Sequence, residues 1–278
     1  MDQRFKDQVA IVTGAGGEFG FATAMRLGLE GAKVILLDSD RETGERSADA
    51  LDQVGIEGRL LIGDAAEPQA AKWAVNTAMM VWNRIDIVIN NAGVAGEFGT
   101  VWDVGLDTID ICYRVNMRAP MLFCKEVIPK MKEANYGRIV NVASVAGKEG
   151  NPKRGAYSST KAANMAITKS VGLSVASTGI RVNGIAPSVV LTKPVREATP
   201  EERDYMVEKI PMKRTVEISE VASIVSWLSS KECSASTGAV FDISAVSYTH
   251  LRAHETREDR VWGGLGGKKK GGGGGGGG

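Results

Sequence analysis

Short apolar runs alternate with helical patterns along most of this chain. The run VAIVT at 9–13 predicts a buried parallel strand, and the spacing of Phe21, Met25 and Leu29 behind it indicates a helix. Similar apolar runs recur at 34–38, 59–62, 85–89, 138–142, 180–186 and 239–243. Seven strands alternating with helices predict an α/β fold in one domain, a doubly wound parallel sheet with helices on both faces.

Longer helical segments occupy the second half of the chain. One segment, from about Leu106 to Lys132, carries Asn116 in a mostly apolar middle, where an amide is usually a satisfied helix residue unless it lines a site. Another holds Tyr157 and extends to about Ser177. TPEE at 199–202 supplies a cap, a first-turn proline and two acids, so it predicts a helix inside a segment, 189–214, that we interpret as an inserted lid.

Polar residues follow several of the predicted strands directly. Asp38, Asn90, Ser144 and Pro187 stand at or just beyond strand ends. In an open parallel sheet the carboxyl ends of the strands meet at one edge, and ligands bind there. We therefore expect the functional site at this edge.

A glycine-rich turn, GAGGEFG at 14–20, separates the first strand from the first helix. Backbone amides of such a turn and of the helix start converge on one place and favour an anion, although glycines also occur in turns that bind nothing. Asp38 follows Gly14 by 24 residues, where a dinucleotide fold places a carboxylate on ribose hydroxyls. Capping of the next helix by the Ser39–Glu42 pattern would explain the neighbouring acids but not Asp38.

Tyr157 and Lys161 are four residues apart on a predicted helix, so they share one face. A cation beside a phenol favours the phenolate, and we expect Lys161 to lower the pKa of Tyr157 from about 10 toward neutrality. Tyr157 would then serve as an acid/base, with Ser144, thirteen residues before it, holding a substrate oxygen. Alone, such a pair more often decorates an ordinary helix.

Composition changes this interpretation mainly at the C-terminal end. The chain has 278 residues, 43% hydrophobic and 24% charged, as expected for a globular protein with a real core. Residues 245–278 break the pattern, because they lack periodicity and end in three lysines and eight glycines. Back-translated, residues 246–256 resemble a transposon-based sequencing adapter, so we expect a non-native, disordered tail and a natural chain that diverges near Ser244; a flexible linker or tag is the alternative.

The remaining residues exclude several classes of function. Residues 245–278 hold six of the 34 Lys and Arg and three of the 33 Asp and Glu, which leaves 28 against 30, so nothing points to nucleic acid. Both histidines, His250 and His254, lie in the tail, so we expect neither a histidine triad nor a metal site. Three scattered cysteines, Cys112, Cys124 and Cys233, predict reduced thiols in the cytoplasm. No apolar segment predicts a signal peptide or a membrane span.

Taken together, the motifs resemble the short-chain dehydrogenase/reductase family, classical type, over residues 7–244. The matching elements in chain order are the turn from Thr13 to Gly20, Asp38, Asp64, Asn90-Asn91-Ala92-Gly93, Asn116, Ser144, Tyr157 with Lys161, and Pro187 with Thr192. The resemblance implies a Rossmann-like domain at 1–244 and a nicotinamide-dependent oxidoreductase acting on alcohols or ketones.

The resemblance also implies roles for individual residues. Tyr157 would be the general acid/base, Lys161 its pKa partner and a ribose ligand, Ser144 the hydroxyl that orients the carbonyl, and Asn116 the holder of a water relay. Val190 and Thr192 would meet the nicotinamide amide. The implied cofactor-binding set is Gly14, Gly17, Glu18, Phe19, Gly20, Asp38, Asp64, Ala65, Asn91, Ala92, Gly93, Tyr157, Lys161, Pro187, Val190 and Thr192.

Three positions depart from the family pattern. Glu18 replaces the middle glycine of the turn, so we expect its side chain to point to solvent or cofactor affinity to suffer. Ser188 replaces the glycine that commonly follows Pro187, so the backbone turn at this position need not match that of the family. The last strand stops near Ser244, where the family usually continues with two glycines.

Cofactor choice depends on Asp38. Its carboxylate would repel the extra phosphate of NADP, and Arg41 is the nearby cation that could offset this, although we expect Arg41 to lie along the helix surface. The sequence therefore predicts NAD. A non-catalytic nicotinamide sensor or scaffold is the alternative, which has no need of all four of Asn116, Ser144, Tyr157 and Lys161.

The substrate stays open between a small polyol, sugar acid or cyclic alcohol and a 3-oxoacyl thioester, because the lid mixes apolar and basic residues. The expected partners are a small-molecule substrate and further copies of the chain in a homodimer or homotetramer.

Overall fold

A computed structural model describes residues 3–208 and 210–245 and contains one seven-stranded parallel sheet in the order β3-β2-β1-β4-β5-β6-β7. The strands are β1 (Val9–Thr13), β2 (Lys33–Asp38), β3 (Gly58–Ile62), β4 (Ile87–Asn90), β5 (Gly137–Val142), β6 (Ile180–Pro187) and β7 (Val240–Ile243). The strand order reverses direction between β1 and β4, which places a crevice at the carboxyl ends of these two strands. The predicted Rossmann-like, doubly wound single domain is confirmed.

Helices connect the strands and cover both faces of the sheet. They are α1 (Glu18–Leu29), α2 (Arg41–Gln53), α3 (Pro68–Trp82), α4 (Leu106–Cys112), α5 (Ala119–Glu133), α6 (Ala146–Glu149), α7 (Gly155–Ser174), α8 (Lys193–Arg196), α9 (Pro200–Glu208) and α10 (Ile218–Ser229). One core joins α3, α5 and α7 to one face, and a second joins α1, α2 and α10 to the other.

Burial on both faces explains the apolar runs. Every residue of β1 is buried, with Ile11 in one core and its neighbours Ala10 and Val12 in the other. Successive strand side chains point to opposite faces, so a strand covered on both sides has no position for a solvated residue. The central strands therefore lack the alternation seen in half-exposed sheets.

The helix predicted at 106–132 is interrupted. It consists of α4, a π-helical turn at Tyr113–Arg118, and α5. Asn116 lies in the π-helical turn and is fully buried. Hydrophobic spacing did not show the interruption, since a single wide turn hardly changes the periodicity of the flanking helices.

Several predicted boundaries need correction. The cap of α2 is Asp40 rather than Ser39, because the Asp40 carboxylate accepts the Thr43 amide hydrogen at 2.7 Å. Strand β4 begins two residues later than predicted, and α7 ends at Ser174 rather than near Ser177.

Residues 246–278, most of the predicted non-native tail, lie outside the described part of the chain. Within residues 3–208 and 210–245, no helix is long and apolar enough to cross a membrane.

Candidate active site

The glycine turn is held in a backbone shape that side chains would disrupt. Gly14 has a φ of +63°, and a Cβ there would stand 2.9 Å from the Ala92 Cα. A Cβ on Gly20 would lie 2.1 Å from the Gly14 carbonyl oxygen, so α1 can begin this close to the turn only with glycine at that position. The amides of Glu18, Phe19 and Gly20 are in the first turn of α1, where no intrahelical acceptor exists. They suit an anionic phosphate group.

Thr13 and Asn91 fasten the glycine turn to the end of β4. The Asn91 side-chain amide donates to the carbonyl oxygens of Thr13 and Gly14 at 2.9 and 3.0 Å. The Thr13 hydroxyl oxygen accepts the amide hydrogens of Asn91 and Ala92, each at 3.0 Å. The Asn-Asn-Ala-Gly motif therefore shapes the phosphate cradle, a role for Thr13 that sequence reasoning missed.

Asp38 lies at the end of β2 and faces this turn. One carboxylate oxygen accepts the Gly16 amide hydrogen at 2.7 Å and the other accepts the Asp40 amide hydrogen at 2.9 Å. These bonds fix the carboxylate next to the turn, as a ribose ligand requires. Arg41 is directed along α2, where it pairs with Glu45 at 3.1 Å. The predicted direction of Arg41 is confirmed.

Asp64 and Ala65 follow β3 at the same edge of the sheet. One oxygen of Asp64 accepts the Ala66 amide hydrogen at 2.8 Å, and the other lies 3.1 Å from Arg114, while Ala65 is buried. Asp64 thus links the end of β3 to the π-helical turn. Sequence reasoning did not find Arg114, whose guanidinium also binds Glu67 at 2.7 Å.

Tyr157 is partly buried near the start of α7, and Ser144 follows β5. Burial raises the pKa of Tyr157 above the ordinary 10, whereas the neighbouring Ser144 hydroxyl and the charge of Arg154 act to lower it. The predicted lowering is therefore wrong, because the loss of water around the phenol outweighs the nearby charges. The phenol keeps its proton at neutral pH.

Lys161 is almost fully buried, with 4% of its surface exposed. Its ammonium donates to the Val142 carbonyl oxygen at 2.7 Å and lies 5.8 Å from the centre of the Tyr157 ring. Burial lowers the pKa of Lys161 from 10.5 to about 8. Tyr157 and Lys161 share one face of α7, as predicted, but the Val142 carbonyl rather than the phenol holds the ammonium.

Asn116 connects the π-helical turn to the loop after β4 and to α7. Its side chain accepts the Val94 amide hydrogen at 2.9 Å and donates to the Val94 carbonyl at 2.9 Å and to the Thr160 hydroxyl at 3.1 Å. Its backbone carbonyl accepts a hydrogen bond from Asn164 at 3.1 Å. A Cβ on Gly93 would stand 3.2 Å from the Lys161 nitrogen and 3.3 Å from the Asn116 side-chain oxygen, so these groups converge.

The far side of the site is formed by the end of β6. Val190 is buried and pairs with Val216 in an isolated parallel bridge, while Thr192 precedes α8. Positive φ values at described non-glycine residues occur at Asp7, Asn83, Asn135, Lys213 and Ala245. Ser188 therefore needs no glycine-like backbone, and its hydroxyl donates to the Ser244 carbonyl at 3.1 Å.

Glu18 does not extend freely into solvent. One carboxylate oxygen accepts the Lys193 amide hydrogen at 2.7 Å, and the other pairs with Arg196 at 2.8 Å. The negative charge at the glycine turn is thus balanced by the protein itself.

The described residues contain no cluster of three or more His, Cys, Asp or Glu placed to hold a metal ion. The site instead combines a glycine turn that leads into the first turn of α1, a carboxylate fixed beside that turn, and a phenol with a neighbouring hydroxyl and ammonium. This arrangement suits binding of a dinucleotide and transfer of a proton to or from a carbonyl oxygen.

A family model described as short chain dehydrogenase matches residues 8–203. The chain therefore belongs to the short-chain dehydrogenase family and is an oxidoreductase of that family, as the sequence resemblance implied. It is similar to 2-dehydro-3-deoxy-L-rhamnonate dehydrogenase (NAD(+)) of Sphingomonas sp. (strain SKA58), with 35% identity covering 87% of this chain and 95% of the relative.

Two solved structures agree with this assignment. NAD+-bound xylitol dehydrogenase superposes with a TM-score of 0.81 at 32% identity, covering 86% of this chain and 98% of the other. Levodione reductase superposes with a TM-score of 0.83 at 29% identity, covering 88% and 100%.

Proposed function

We propose that this enzyme transfers a hydride between NAD and a small secondary alcohol or the corresponding ketone. The observation that carries this proposal is the Tyr157 phenol at the carboxyl edge of the sheet, with the Ser144 hydroxyl acting on it and the Lys161 ammonium 5.8 Å from the centre of its ring. A proton donor beside a second hydroxyl is the arrangement that reduction of a carbonyl needs.

Tyr157 acts as the proton carrier. In ketone reduction its hydroxyl donates a proton to the substrate oxygen, and in alcohol oxidation its phenolate accepts that proton. Ser144 holds the same oxygen by a hydrogen bond and stabilises its developing negative charge. The nicotinamide, when bound, supplies or accepts the hydride.

Lys161 and Asn116 organise this chemistry. The buried ammonium of Lys161 provides a positive charge within the pocket, which stabilises a phenolate once it forms. Asn116 keeps the loop after β4 against α7 through its bonds to Val94 and Thr160. We assign it the positioning of Lys161 and of the proton path behind it.

The cofactor-binding set divides between the two ends of the dinucleotide. Gly14, Gly17, Glu18, Phe19 and Gly20 form the pyrophosphate end, and Asp38 faces the adenine ribose. Asp64, Ala65 and the residues Asn91, Ala92 and Gly93 border this half along the sheet edge. Pro187, Val190 and Thr192 would border the nicotinamide, and Tyr157 and Lys161 would hold its ribose.

NAD is the preferred cofactor in this proposal. The Asp38 carboxylate is fixed by the amides of Gly16 and Asp40, so it cannot easily turn away from an added 2′-phosphate. Arg41, which could neutralise that phosphate, is engaged with Glu45. The relative of 35% identity and the xylitol dehydrogenase structure are both named with NAD+.

We place the substrate among small hydroxylated molecules, sugar acids and polyols first. Relatives named for a sugar acid and for xylitol support this class. The guanidinium of Arg154 donates to the Ala95 carbonyl oxygen at 3.2 Å, in the loop after β4, where its positive charge would favour a carboxylated substrate. Cyclic alcohols and 3-oxoacyl thioesters are the other candidates.

A substrate panel tests the function directly. Sugar acids, polyols, cyclic alcohols and 3-oxoacyl thioesters are offered with NAD(H) and with NADP(H), and turnover is followed by nicotinamide absorbance. We expect turnover of at least one sugar acid or polyol with NAD. NADH binding without turnover of any class would favour a sensor or scaffold.

We also propose a cytoplasmic homo-oligomer. Cys112, Cys124 and Cys233 are free and buried, which suits a reducing compartment. Apolar side chains on the α4–α5 segment are exposed, including Leu106 at 77% and Met121 at 49%. Burial of this surface against a second copy would remove it from water, and light scattering of the purified chain measures the oligomeric state.

A further inference from the structure

Glu18 and Arg196 join two parts of the chain that the cofactor site needs together. Glu18 is the first residue of α1 at the glycine turn, and Arg196 ends α8 at the base of the lid. Their side chains meet at 2.8 Å although 178 positions separate them. The second Glu18 oxygen accepts the Lys193 amide hydrogen at 2.7 Å, so this carboxylate also caps α8.

The contact fixes both partners. Thr192, the residue before α8, has no side-chain capping bond, and Glu18 supplies the missing acceptor. Arg196 uses its other terminal nitrogen to donate to the Leu191 carbonyl oxygen at 2.7 Å. Leu191 in turn donates its amide hydrogen to Val216 at 2.8 Å. The segment from Leu191 to Arg196 is therefore tied at one end to Val216, just before α10, and at the other to the glycine turn.

We propose that Glu18 and Arg196 form a clasp that holds the lid base beside the pyrophosphate end of the site and slows release of the dinucleotide. The proposal rests on the proposed function, because it requires a dinucleotide at the glycine turn. Glu18 and Arg196 are positioning residues in this inference. A dinucleotide reaching from the turn to Thr192 would lie beside this connection, so loosening the connection should hasten its release.

A purely electrostatic effect of Glu18 on the bound cofactor would change the NADH release rates in a different way. If Glu18 only repelled the pyrophosphate, Glu18→Gln would slow NADH release, Arg196→Gln would hasten it, and the double variant would return toward wild type. If the clasp retains the cofactor, each single variant hastens release. The double variant is then no faster than either single variant, because one broken partner already opens the clasp.

The experiment measures NADH dissociation by rapid displacement, followed by nicotinamide fluorescence, in wild type, Glu18→Gln, Arg196→Gln and the double variant. We expect release about threefold faster or more in all three variants, the size expected for a partly exposed ion pair. Glu197→Gln is the matched control, since it removes an exposed pair with the Lys193 ammonium at 3.8 Å without touching Glu18. Its release rate should equal that of wild type.

Hydrogen exchange gives a readout without cofactor. The clasp predicts faster amide exchange in 191–197 for Glu18→Gln and Arg196→Gln, with exchange elsewhere unchanged, and this also shows that the variants fold. Slower or unchanged NADH release in Glu18→Gln overturns the clasp. No saturable NADH binding by wild type overturns the proposed function and the clasp with it.

Discussion

The pocket around Lys161 and the lid at 189–214 are built in opposite ways. Asn116 and Lys161 are buried, and their polar groups bind atoms of β5, α7 and the loop after β4. Most residues of the lid whose burial the structure describes are half-buried or exposed. The lid joins the domain through contacts that include the bridge between Val190 and Val216 and the Glu18 pair with Arg196. The proposed proton transfer is thus placed in the buried, hydrogen-bonded part of the molecule, and the proposed substrate contact in an exposed part.

The geometry of the buried Lys161 pocket is therefore constrained, whereas that of the exposed lid can change. A buried polar network is costly to alter, because each lost partner leaves a desolvated group unsatisfied. When an exposed lid residue loses a contact with the protein, water replaces that contact. Its substitution therefore costs little folding free energy. One reaction can therefore serve many substrates within the same fold.

The largest expected effect tests the buried pocket. Tyr157→Phe keeps the ring and the fold but removes the proton carrier, so we expect turnover to fall about a hundredfold or more with NADH binding retained. Tyr113→Phe, at a tyrosine that is 48% exposed, is the matched control and should leave turnover unchanged. Near-normal turnover of Tyr157→Phe would exclude the proton-carrier role.

A second test uses the cost of burying the Lys161 charge. With a folded pKa of about 8 against the ordinary 10.5, the charged ammonium destabilises the native state below pH 8, and wild type gains stability as pH rises from 8 to 10.5. Lys161→Met removes that cost but also the bond to Val142, so we expect a gain of about 2 kcal/mol in unfolding free energy at pH 7. The gain should shrink by pH 10.5. Denaturant titrations across this range measure it, and parallel curves would contradict a buried charge.

The third test concerns cofactor choice at Asp38, whose exposure is intermediate between that of the Lys161 pocket and that of the lid. We expect wild type to favour NAD over NADP by about tenfold in kcat/KM, about 1.4 kcal/mol, and Asp38→Ser to narrow this ratio. Kinetics with both cofactors decide the point. An NADP preference in wild type would mean that Arg41 or another residue sets the choice.

The smallest expected effect lies in the lid. Met212 is 50% exposed, so Met212→Ala should change the unfolding free energy by less than about 0.5 kcal/mol while altering KM among substrates of different size. Thermal unfolding and substrate kinetics on the same variant measure both quantities. A large loss of stability would show that the lid is as tightly built as the Lys161 pocket.

Sequence alone predicted the parts of the site that local spacing encodes. The four-residue interval between Tyr157 and Lys161 defines a shared helix face, and Asp38 follows an apolar run whose strand character is clear. These positions depend on periodicities that operate over a few residues.

The rest depends on contacts that no local pattern records. The pKa of Tyr157 follows from how much water the folded chain removes around it, and the direction predicted from Lys161 alone was wrong. The Lys161 bond to Val142 and the Glu18 pair with Arg196 join residues far apart in the chain. The role of Thr13 as acceptor for two amides likewise emerged only when β1 and β4 were placed side by side.

The π-helical turn at Tyr113–Arg118 makes the site sensitive to the number of residues as well as to their identity. An α-helix advances by about 100° per residue, so deleting one residue before Asn116 would rotate everything upstream by that angle relative to α5. Either Asn116 would leave Val94 and Thr160, or α4 would present a different face to its neighbours. A homologous sequence one residue shorter here could keep every motif residue and still lack an assembled site.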